Sequence, residues 1–451
     1  MVDFSVITFT VLTPTSKANV TVSSNSLSVQ TMDHSSADSV GAKRKRIVVK
    51  FGGSSLADKE RIAKAAKLIA NEVRKGTRLV VVVSAMGKMT DQLSSLIDHG
   101  SSESSDKKDV DDILAMGERT SVRVFSTALK REGLDAKYFD PSDSDWPIIT
   151  DNEHSNANPI LELCLHKVNE HVNPLLNQGK VPVIAGFVGM STTGRISTIG
   201  RGGSDTTAFI IAKGIGADEV VLVTDADGIL SADPKLIPNA KKLNRIEVST
   251  LIGLADSGTK FIHRKALRYK DQDIPVRVIN NRKDSLDADG TIITGGVDNE
   301  VEVALASSNP SMSVTIAGKA ISENPTIMSL LVKAIKNHSN LCGLSADFDS
   351  IIFYLPQIGF EEVLGKIHEV VVGHQETLAM AVQRDLAFLR IKGVGLEDTP
   401  GIIGKISTRL KESRINIFGI LTLASSILVF VSWKEKDEAL NLMTQVVKGE
   451  E

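Results

Sequence analysis

The chain has 451 residues, of which 42% are hydrophobic and 24% are charged, and its formal net charge is −3 at pH 7. This composition predicts a soluble globular protein of about two to four domains, and the near-neutral charge argues against binding nucleic acid by neutralising phosphates. Two cysteines exclude a disulfide framework and indicate a reducing compartment, so we expect a cytoplasmic protein. No apolar run approaches the roughly 18–20 residues of a transmembrane helix, so no membrane partner is expected either.

Residues 1–41 differ in composition from the rest of the chain. They are rich in Ser and Thr and show no helical periodicity, which predicts a mostly disordered leader. A secretory signal does not fit, because the segment has no basic start and no sustained apolar core.

From Ile47 onward, strand and helix patterns alternate. Alternation of this kind predicts an α/β domain with a mostly parallel sheet between two layers of helices. The predicted strands lie at 47–51, 79–84, 181–187, 220–224 and 276–279, and the predicted helices at 59–75, 114–130 and 206–213.

After about Asn299 the pattern changes to two copies of a β-α-β-β-α-β unit. Pro325 and Pro400, each in front of an amphipathic helix, lie 75 residues apart, and so do the strand residues Val314 and Leu389. We therefore expect a catalytic domain over 47–299 and two small α+β domains over 300–384 and 385–451.

The first motif that carries chemistry is VVKFGGSSLAD, which places Lys50 near the end of a predicted strand. Gly52 and Gly53 let backbone N–H groups approach an anion closely, a following helix start favours negative charge, and Lys50 adds a positive charge. The string is neither a Walker A loop nor a dinucleotide fingerprint. It predicts a phosphate site, with a plain strand-to-helix turn as the alternative.

The second motif is STIGRGGSDTTA, in front of an apolar helix. Arg201 can grip a carboxylate with two hydrogen bonds, and Asp205 can accept from an ammonium group. Gly202 and Gly203 supply backbone donors, and Ser204 or Asp205 is also a good helix N-cap. Because a helix cap alone needs neither the arginine nor both glycines, the motif predicts a receptor for an α-amino acid.

Weaker signals surround these two motifs. The string TDADGILSADPK follows a buried strand, where ligands of α/β sheets bind, and its glycine is misplaced for a calcium loop. Ser84 and Thr90 follow another buried strand, Glu118 stands at the start of a predicted helix, and Lys260 can reach a phosphate. Each has a plain alternative, namely a turn, a first-turn acid or a surface lysine.

In this order, the strings KFGGSS, VSAMG, GRGGSDTTA, TDADGI and SGTKFIH closely resemble those of the aspartokinases, which belong to the amino-acid kinase superfamily. The repeated unit resembles a pair of ferredoxin-like ACT domains. The second copy has the ACT turn that runs from Asp398 to Gly401, whereas the first copy lacks the glycine. The resemblance extends from about Ile47 to the end of the chain and is to the monofunctional members.

The resemblance implies transfer of the ATP γ-phosphate to the β-carboxylate of L-aspartate, the first step of lysine, threonine and methionine synthesis. It implies ATP with Mg²⁺ riding on its phosphates, an amino-acid effector such as lysine or threonine, and a homodimer or larger assembly through the ACT domains. By matched position it implies nucleotide contacts from Lys50, Phe51, Gly52, Gly53, Thr224, Asp225, Leu230, Lys235, Lys260 and Phe261. It likewise implies aspartate contacts from Ser84, Thr90, Glu118, Arg201, Gly202, Gly203, Ser204 and Asp205, with Lys50, Arg201 and Asp205 as the catalytic set. Expected effector contacts are Ser322 and Asn324 in the first copy and Asp398 and Gly401 in the second.

Two alternatives stay open at this point. One is another kinase of the superfamily, with acetylglutamate, glutamate or UMP as acceptor, which the ACT pair and GRGGSD disfavour. The other is a non-catalytic amino-acid sensor, which predicts the loss of a phosphate lysine or of Arg201, and both are present.

Overall fold

A computed structural model of the chain describes residues 44–97, 106–255, 262–297, 301–393, 396, 401–423 and 426–449. The predictions made for the leader 1–41, for Lys260 and Phe261, and for Asp398 lie outside these residues. Within the described part of the chain, no helix is long and apolar enough to cross a membrane.

A mostly parallel sheet organises the first domain, as the alternating pattern predicted. Every strand pair in it is parallel except β10 with β11, which pair antiparallel. In spatial order its eight described strands are β3 (Ala136–Phe139), β5 (Val181–Ala185), β2 (Arg78–Val83), β1 (Arg46–Phe51), β8 (Glu219–Thr224), β10 (Val276–Asn280), β11 (Thr291–Thr294) and β9 (Arg245–Glu247).

Helices cover both faces of this sheet, as neighbouring residues of β1 show. Successive side chains of a strand point to opposite faces. Phe51 is fully buried, with its ring 5.4 Å from that of Phe125 in α3 (Lys107–Arg131), whereas Lys50 reaches Asp205 in α6 (Gly203–Ile215). The predicted two helical layers are thereby confirmed. The other helices are α1 (Lys59–Arg74), α2 (Met89–Ile97), α4 (Leu161–Lys167), α5 (Asn173–Asn177), α7 (Val248–Ala255) and α8 (Arg264–Leu267), and β4 (Ile149–Thr150), β6 (Val188–Ser191) and β7 (Ile196–Thr198) form a small second sheet.

Both predicted repeats are present, and they share one long strand, β16 (Thr377–Lys392). Its first half pairs with β13 (Ser311–Gly318) and its second half with β18 (Ser426–Ser432). The first repeat adds α9 (Pro325–Lys336), β14 (Gly343–Asp347), β15 (Ser350–Pro356) and α10 (Phe360–Val372), and the second adds α11 (Ile402–Glu412), β17 (Gly419–Leu423) and α12 (Lys436–Lys448).

The strand β12 (Glu302–Leu305) departs from the simple tandem order. It precedes the first repeat in the chain, yet it pairs with residues 389–392 of β16 and so extends the sheet of the second repeat. The side chains of Val303 and Leu305 pack against the core of the second repeat. The predicted division after residue 384 therefore falls inside β16, and residues 302–305 belong with the second repeat.

The described strands of both repeats form one seven-stranded sheet through β16, and the two halves of this sheet pack against each other through the faces that carry no helices. Phe353 lies in the core beneath α9 and α10, so its neighbour Tyr354 points to the opposite face. There the ring of Tyr354 stacks on Phe430 of β18 with centroids 3.8 Å apart, and Phe388 of β16 stacks on the same ring at 4.9 Å. Leu428 completes the buried cluster between these two halves of the sheet.

Candidate active site

A cavity of about 950 Å³ opens where β1 ends and α6 begins. The carboxyl ends of parallel strands meet at one edge of a sheet, which is where α/β proteins bind ligands. The lining includes residues from both the lysine–glycine motif and the arginine–glycine motif, so the fold brings the two predicted half-sites together. Of the predicted site residues, Lys50, Thr90, Glu118, Arg201, Gly202, Gly203, Ser204 and Asp205 line it.

Lys50 and Asp205 form an ion pair in this cavity. The Nζ atom of Lys50 lies 2.7 Å from Oδ1 of Asp205, and the side chains are 16% and 11% exposed. A pair at this distance fixes the position of the lysine side chain. A phosphate that enters the cavity therefore meets a lysine already held in place by the first turn of α6.

The glycines of the second motif fit a tight turn at the start of α6. Gly202 has a φ of 76°, and a Cβ atom there would lie 2.4 Å from Cβ of His263. A Cβ on Gly203 would lie 2.9 Å from Cα of Phe187. Only glycine fits this space. The side chain of Arg201 is exposed. It projects from a turn whose backbone is held in place by the close contacts of Gly202 with His263 and of Gly203 with Phe187.

The predicted N-cap of this helix was wrong. The helix begins at Gly203 with Gly202 as its cap and with no side-chain hydrogen bond, so Ser204 and Asp205 stand in the first turn. The Oγ atom of Ser204 instead lies 3.0 Å from Oγ of Ser84, and Asp205 pairs with Lys50. Both polar side chains thus face the cavity rather than cap the helix.

Glu118 was predicted at a helix start, and this prediction was wrong. The residue lies in the middle of α3, which begins at Lys107 after the cap residue Asp106. Its side chain is 3% exposed; Oε1 accepts a hydrogen bond of 3.1 Å from the backbone N–H of Ala85. Oε2 has no hydrogen-bond partner among the described residues. Burial raises the pKa of Glu118 to about 7. A buried carboxylate with an unused oxygen at a cavity wall suits a cationic ligand.

The glycine loop after β1 lies against the segment after β2. A Cβ on Gly53 would be 2.8 Å from the carbonyl oxygen of Ala85, so a side chain there would push the two segments apart. The glycines open a short 3₁₀ turn, Gly53–Leu56, rather than an α-helix. The α-helix α1 starts only at Lys59, where the side chain of Asp58 caps it.

The predicted nucleotide contacts on β8 lie beside this loop. The N–H of Gly52 donates to the carbonyl oxygen of Val223 at 3.1 Å, which joins the ends of β1 and β8 next to Thr224. Asn280, at the end of β10, donates to the backbone oxygen of Asp225 at 3.0 Å and to Oδ1 of Asp227 at 2.9 Å. Sequence reasoning missed Asn280, whose only signal was its place at the end of a buried strand.

Three further predicted nucleotide contacts are less well placed. The side chain of Phe51 belongs to the core, so it contributes no side-chain contact to the cavity. Leu230 is half-buried and its backbone forms a β-bridge with Lys242, while Lys235 is exposed on the following loop. None of the three lines the cavity, and neither do Gly52, Gly53, Thr224 and Asp225, so Lys50 is the one described nucleotide contact among the predicted set that does.

The cavity has a further, mostly polar wall, of which only Gly200 belongs to the lysine–glycine motif or the arginine–glycine motif. Its residues come from the segment between β4 and α4, from the turns around Phe187 and Gly200, and from the start of α8. His263 was within reach of the sequence analysis, because it ends the string SGTKFIH. The residues of this wall are Ser155, Asn156, Asn158, Phe187, Gly200, His263, Lys265 and Arg268.

The predicted effector contacts differ between the repeats. In the first, Oδ1 of Asn324 accepts from the N–H groups of Thr326 and Ile327 at 3.1 and 3.2 Å, so it occupies donors that an effector carboxylate could otherwise use at this helix start. Ser322 donates to the backbone oxygen of Phe348 at 3.4 Å. In the second, Gly401 precedes α11 as its cap residue with a φ of 82° and, as a glycine, supplies no side-chain cap. Gly401 also lines a cavity of about 670 Å³ between α11 and α12.

Comparisons with known proteins agree with this architecture. Residues 45–280 match the model of the amino acid kinase family, and residues 381–445 match a model of the ACT domain. An aspartokinase of Rickettsia felis is 31% identical over 382 residues, which cover 82% of this chain and 91% of the relative. An aspartokinase of Thermus thermophilus is 30% identical over 413 residues, which cover 88% of this chain and 98% of the relative.

Solved structures resemble the fold of the chain as well. The crystal structure of aspartate kinase from Synechocystis matches with a TM-score of 0.74 and 26% identity, over 89% of this chain and 69% of that chain. A structure of E. coli aspartokinase III in complex with aspartate and ADP matches with a TM-score of 0.52 and 20% identity, over 89% of this chain and 99% of that chain. The second match, at this identity, concerns the fold alone.

Proposed function

The chain belongs to the aspartokinases, within the amino acid kinase family, and on that premise we propose that it transfers the γ-phosphoryl group of ATP to the β-carboxylate of L-aspartate. The product is the acyl phosphate 4-phospho-L-aspartate. The observation that carries this proposal is the cavity in which Lys50, paired with Asp205 at 2.7 Å, shares one space with Arg201 and the buried Glu118. That set offers a cation to phosphate, a guanidinium to a carboxylate and acids to an ammonium group.

The chemistry needs no general base in this site. The β-carboxylate of free aspartate has a pKa near 3.9 and is therefore ionised and nucleophilic at pH 7. The protein has to hold two anions together and in line, and to neutralise the charge that develops on the transferred group. A site built from Lys50, Arg201 and glycine-turn N–H groups fits that task.

We assign each side chain one role. Lys50 contacts the transferred phosphoryl group, and Arg201 binds the α-carboxylate of aspartate. Glu118 and Asp205 accept from its α-ammonium group, and the nucleotide lies against the ends of β1, β8 and β10, close to Gly52 and Thr224. When Asp205 accepts a hydrogen bond from the substrate ammonium, its ion pair with Lys50 weakens. The Lys50 side chain can then contact the phosphate.

Mg²⁺ is proposed to enter the site bound to the phosphates of ATP. Among the described residues, no group of three His, Cys, Asp or Glu side chains could hold a metal ion. Isolated carboxylates such as Asp225 fit an ion that takes most of its ligands from phosphate oxygens and water. In that place it would neutralise charge on the phosphates.

The two repeats are proposed to make the enzyme responsive to an end product, lysine or threonine, and to join it into a dimer or larger assembly. Of the two predicted effector positions, the one at Gly401 is better suited, because Gly401 lines a cavity and itself supplies no side-chain cap to α11, whereas the side chain of Asn324 caps α9. Initial rates measured against lysine, threonine and methionine, singly and in pairs, test regulation.

One assay tests the reaction. The protein is incubated with ATP, Mg²⁺ and one acceptor at a time, and acyl phosphate is trapped with hydroxylamine. We expect hydroxamate from aspartate and none from glutamate or acetylglutamate, and the Lys50→Ala variant serves as the matched negative control. Product from another acceptor would identify a different acyl kinase. If no acceptor gives acyl phosphate, release of ADP with UMP would indicate a UMP kinase, and no ADP release with any acceptor would favour a sensor.

A further inference from the structure

Two segments that line the amino-acid side of the cavity are held together by buried ionisable groups that have no role in the proposed reaction. The first segment is residues 154–158, here called the wall loop, and the second is residues 198–201, here called the arginine turn. Both contribute to the cavity lining, and the arginine turn ends in Arg201 itself.

Asp111 makes the first connection. It is fully buried in α3, seven residues before Glu118 and therefore on the same face of that helix. Its carboxylate accepts from the backbone N–H of Ser155 at 3.0 Å and from Oγ1 of Thr198 at 2.5 Å, and Nδ1 of His154 lies 2.8 Å from Oδ2. One carboxylate thus joins the wall loop to the arginine turn. It also holds Ser155 at a φ of 66°, which residues with side chains rarely adopt.

Lys265 makes the second connection from the other direction. It is 7% exposed, and its Nζ lies 2.9 Å from the backbone oxygen of Asn156 and 2.8 Å from Oδ1 of the same residue. The same Nζ lies 2.7 Å from the backbone oxygen of Ile199. Between the two connections, a Cβ on Gly200 would lie 2.9 Å from Oδ1 of Asn156, so the segments are in direct contact.

We propose that Asp111 and Lys265 are positioning residues that fix the wall loop against the arginine turn and so set where the guanidinium of Arg201 meets the substrate. Burying charged groups is costly, and apolar side chains could join the same segments more cheaply. What the charged groups add is hydrogen bonds of fixed direction, which is what a binding site needs in the residues behind its contacts. The inference rests on the proposed function, because it takes Arg201 as the group that binds the α-carboxylate of aspartate.

The most direct test compares a variant that loses one hydrogen bond of this network with a variant that keeps it. Thr198→Val keeps the shape of the side chain but loses the hydroxyl that donates to Asp111, whereas Thr198→Ser keeps the hydroxyl. We expect Thr198→Val to raise the KM for aspartate by about tenfold with the KM for ATP unchanged, and Thr198→Ser to stay near wild type. Asp111→Asn and Lys265→Met are expected to show the same selective rise.

Asp140→Asn is the matched control. Asp140 is 2% exposed and is also bonded to α3, through Arg119 at 3.0 Å, but it contacts neither segment. We expect it to lower the melting temperature and to leave the ratio of the two KM values unchanged. A merely structural role for Asp111 predicts the same behaviour for Asp111→Asn, and that result would overturn the proposal.

The outcomes separate this inference from the proposed function. If the wild-type protein forms no acyl phosphate from aspartate, the proposed function is wrong and the inference falls with it. If the wild-type protein is active, but Thr198→Val retains the wild-type KM for aspartate or Thr198→Ser is equally impaired, only the positioning role is overturned. Should Asp111→Asn fail to fold, the Thr198 pair decides alone.

Discussion

Replacing Glu118 by Gln is expected to stabilise the folded protein at pH 8 while weakening aspartate binding. Burial raises the pKa of Glu118 from 4.5 to about 7, because its carboxylate loses water, and the hydrogen bond from the N–H of Ala85, which lowers the pKa, offsets only part of this effect. That shift corresponds to about 3 kcal/mol of differential interaction between the two protonation states. At pH 8 the wild-type group is ionised and bears this cost, whereas the neutral Gln side chain does not.

The pH dependence of the raised pKa decides at which pH the Gln side chain makes the folded protein more stable than Glu118 does. The folded protein holds the Glu118 proton more tightly than the unfolded chain does, so stability falls as pH rises from about 4.5 to about 7. The Glu118→Gln variant lacks this loss. Its advantage over wild type is therefore small at pH 5 and full at pH 8, where about 3 kcal/mol would raise the melting temperature by about 5–10 °C.

Thermal unfolding of both proteins without ligands, at pH 5 and pH 8, measures the difference. In the kinetic assay, the wild-type KM for aspartate should rise about tenfold per pH unit below 7, because only ionised Glu118 accepts from the substrate ammonium. The variant should show a high KM that does not change with pH. A variant that is destabilised equally at both pH values would refute the reasoning.

Lys50→Ala should lower the rate of acyl phosphate formation by about 10²–10³, and near-normal turnover in a folded variant would contradict its role. Arg201→Ala should weaken aspartate binding by about 2–4 kcal/mol in a titration while ATP affinity stays the same; the reverse pattern would mean that the half-sites are exchanged. Phe430→Ala, which removes the ring stacked between Tyr354 and Phe388, should cost about 3–5 kcal/mol in denaturant unfolding. Deleting residues 1–41 should change neither activity nor melting temperature, and a large drop in melting temperature would show that the leader packs on the fold.

The parts of the site that could be predicted are those in which one short string contains both the chemistry and its support. Lys50 lies near the end of a strand with a clear apolar pattern, the Gly52–Gly53 loop follows that strand, and Arg201 precedes an equally clear helix. Because carboxyl ends of parallel strands gather at one edge of a sheet, the meeting of these strings follows from the fold class.

The rest depends on contacts between distant segments, for which a single sequence holds no signal. Asp111 lies in a polar stretch, and its partners Ser155 and Thr198 are 44 and 87 residues away. The same polar stretch concealed the true start of α3 and so misplaced Glu118. The pairing of β12 was equally out of reach, because a short apolar strand fits the edge of either repeat.

The placement of β12 makes the first repeat an insertion within the second. The N–H of Ala306, just after β12, donates to the carbonyl oxygen of Phe388 at 2.7 Å, so the chain leaves and re-enters the second repeat at nearly the same point. A stop codon after residue 384 would therefore not remove one module cleanly, since β12 would lose its partner strand and expose Val303 and Leu305. Excising residues 307–385 and closing the gap with a short turn would instead leave the four strands of the second repeat in place. Separating the two repeats of this protein therefore requires an internal deletion rather than a truncation of the C-terminus.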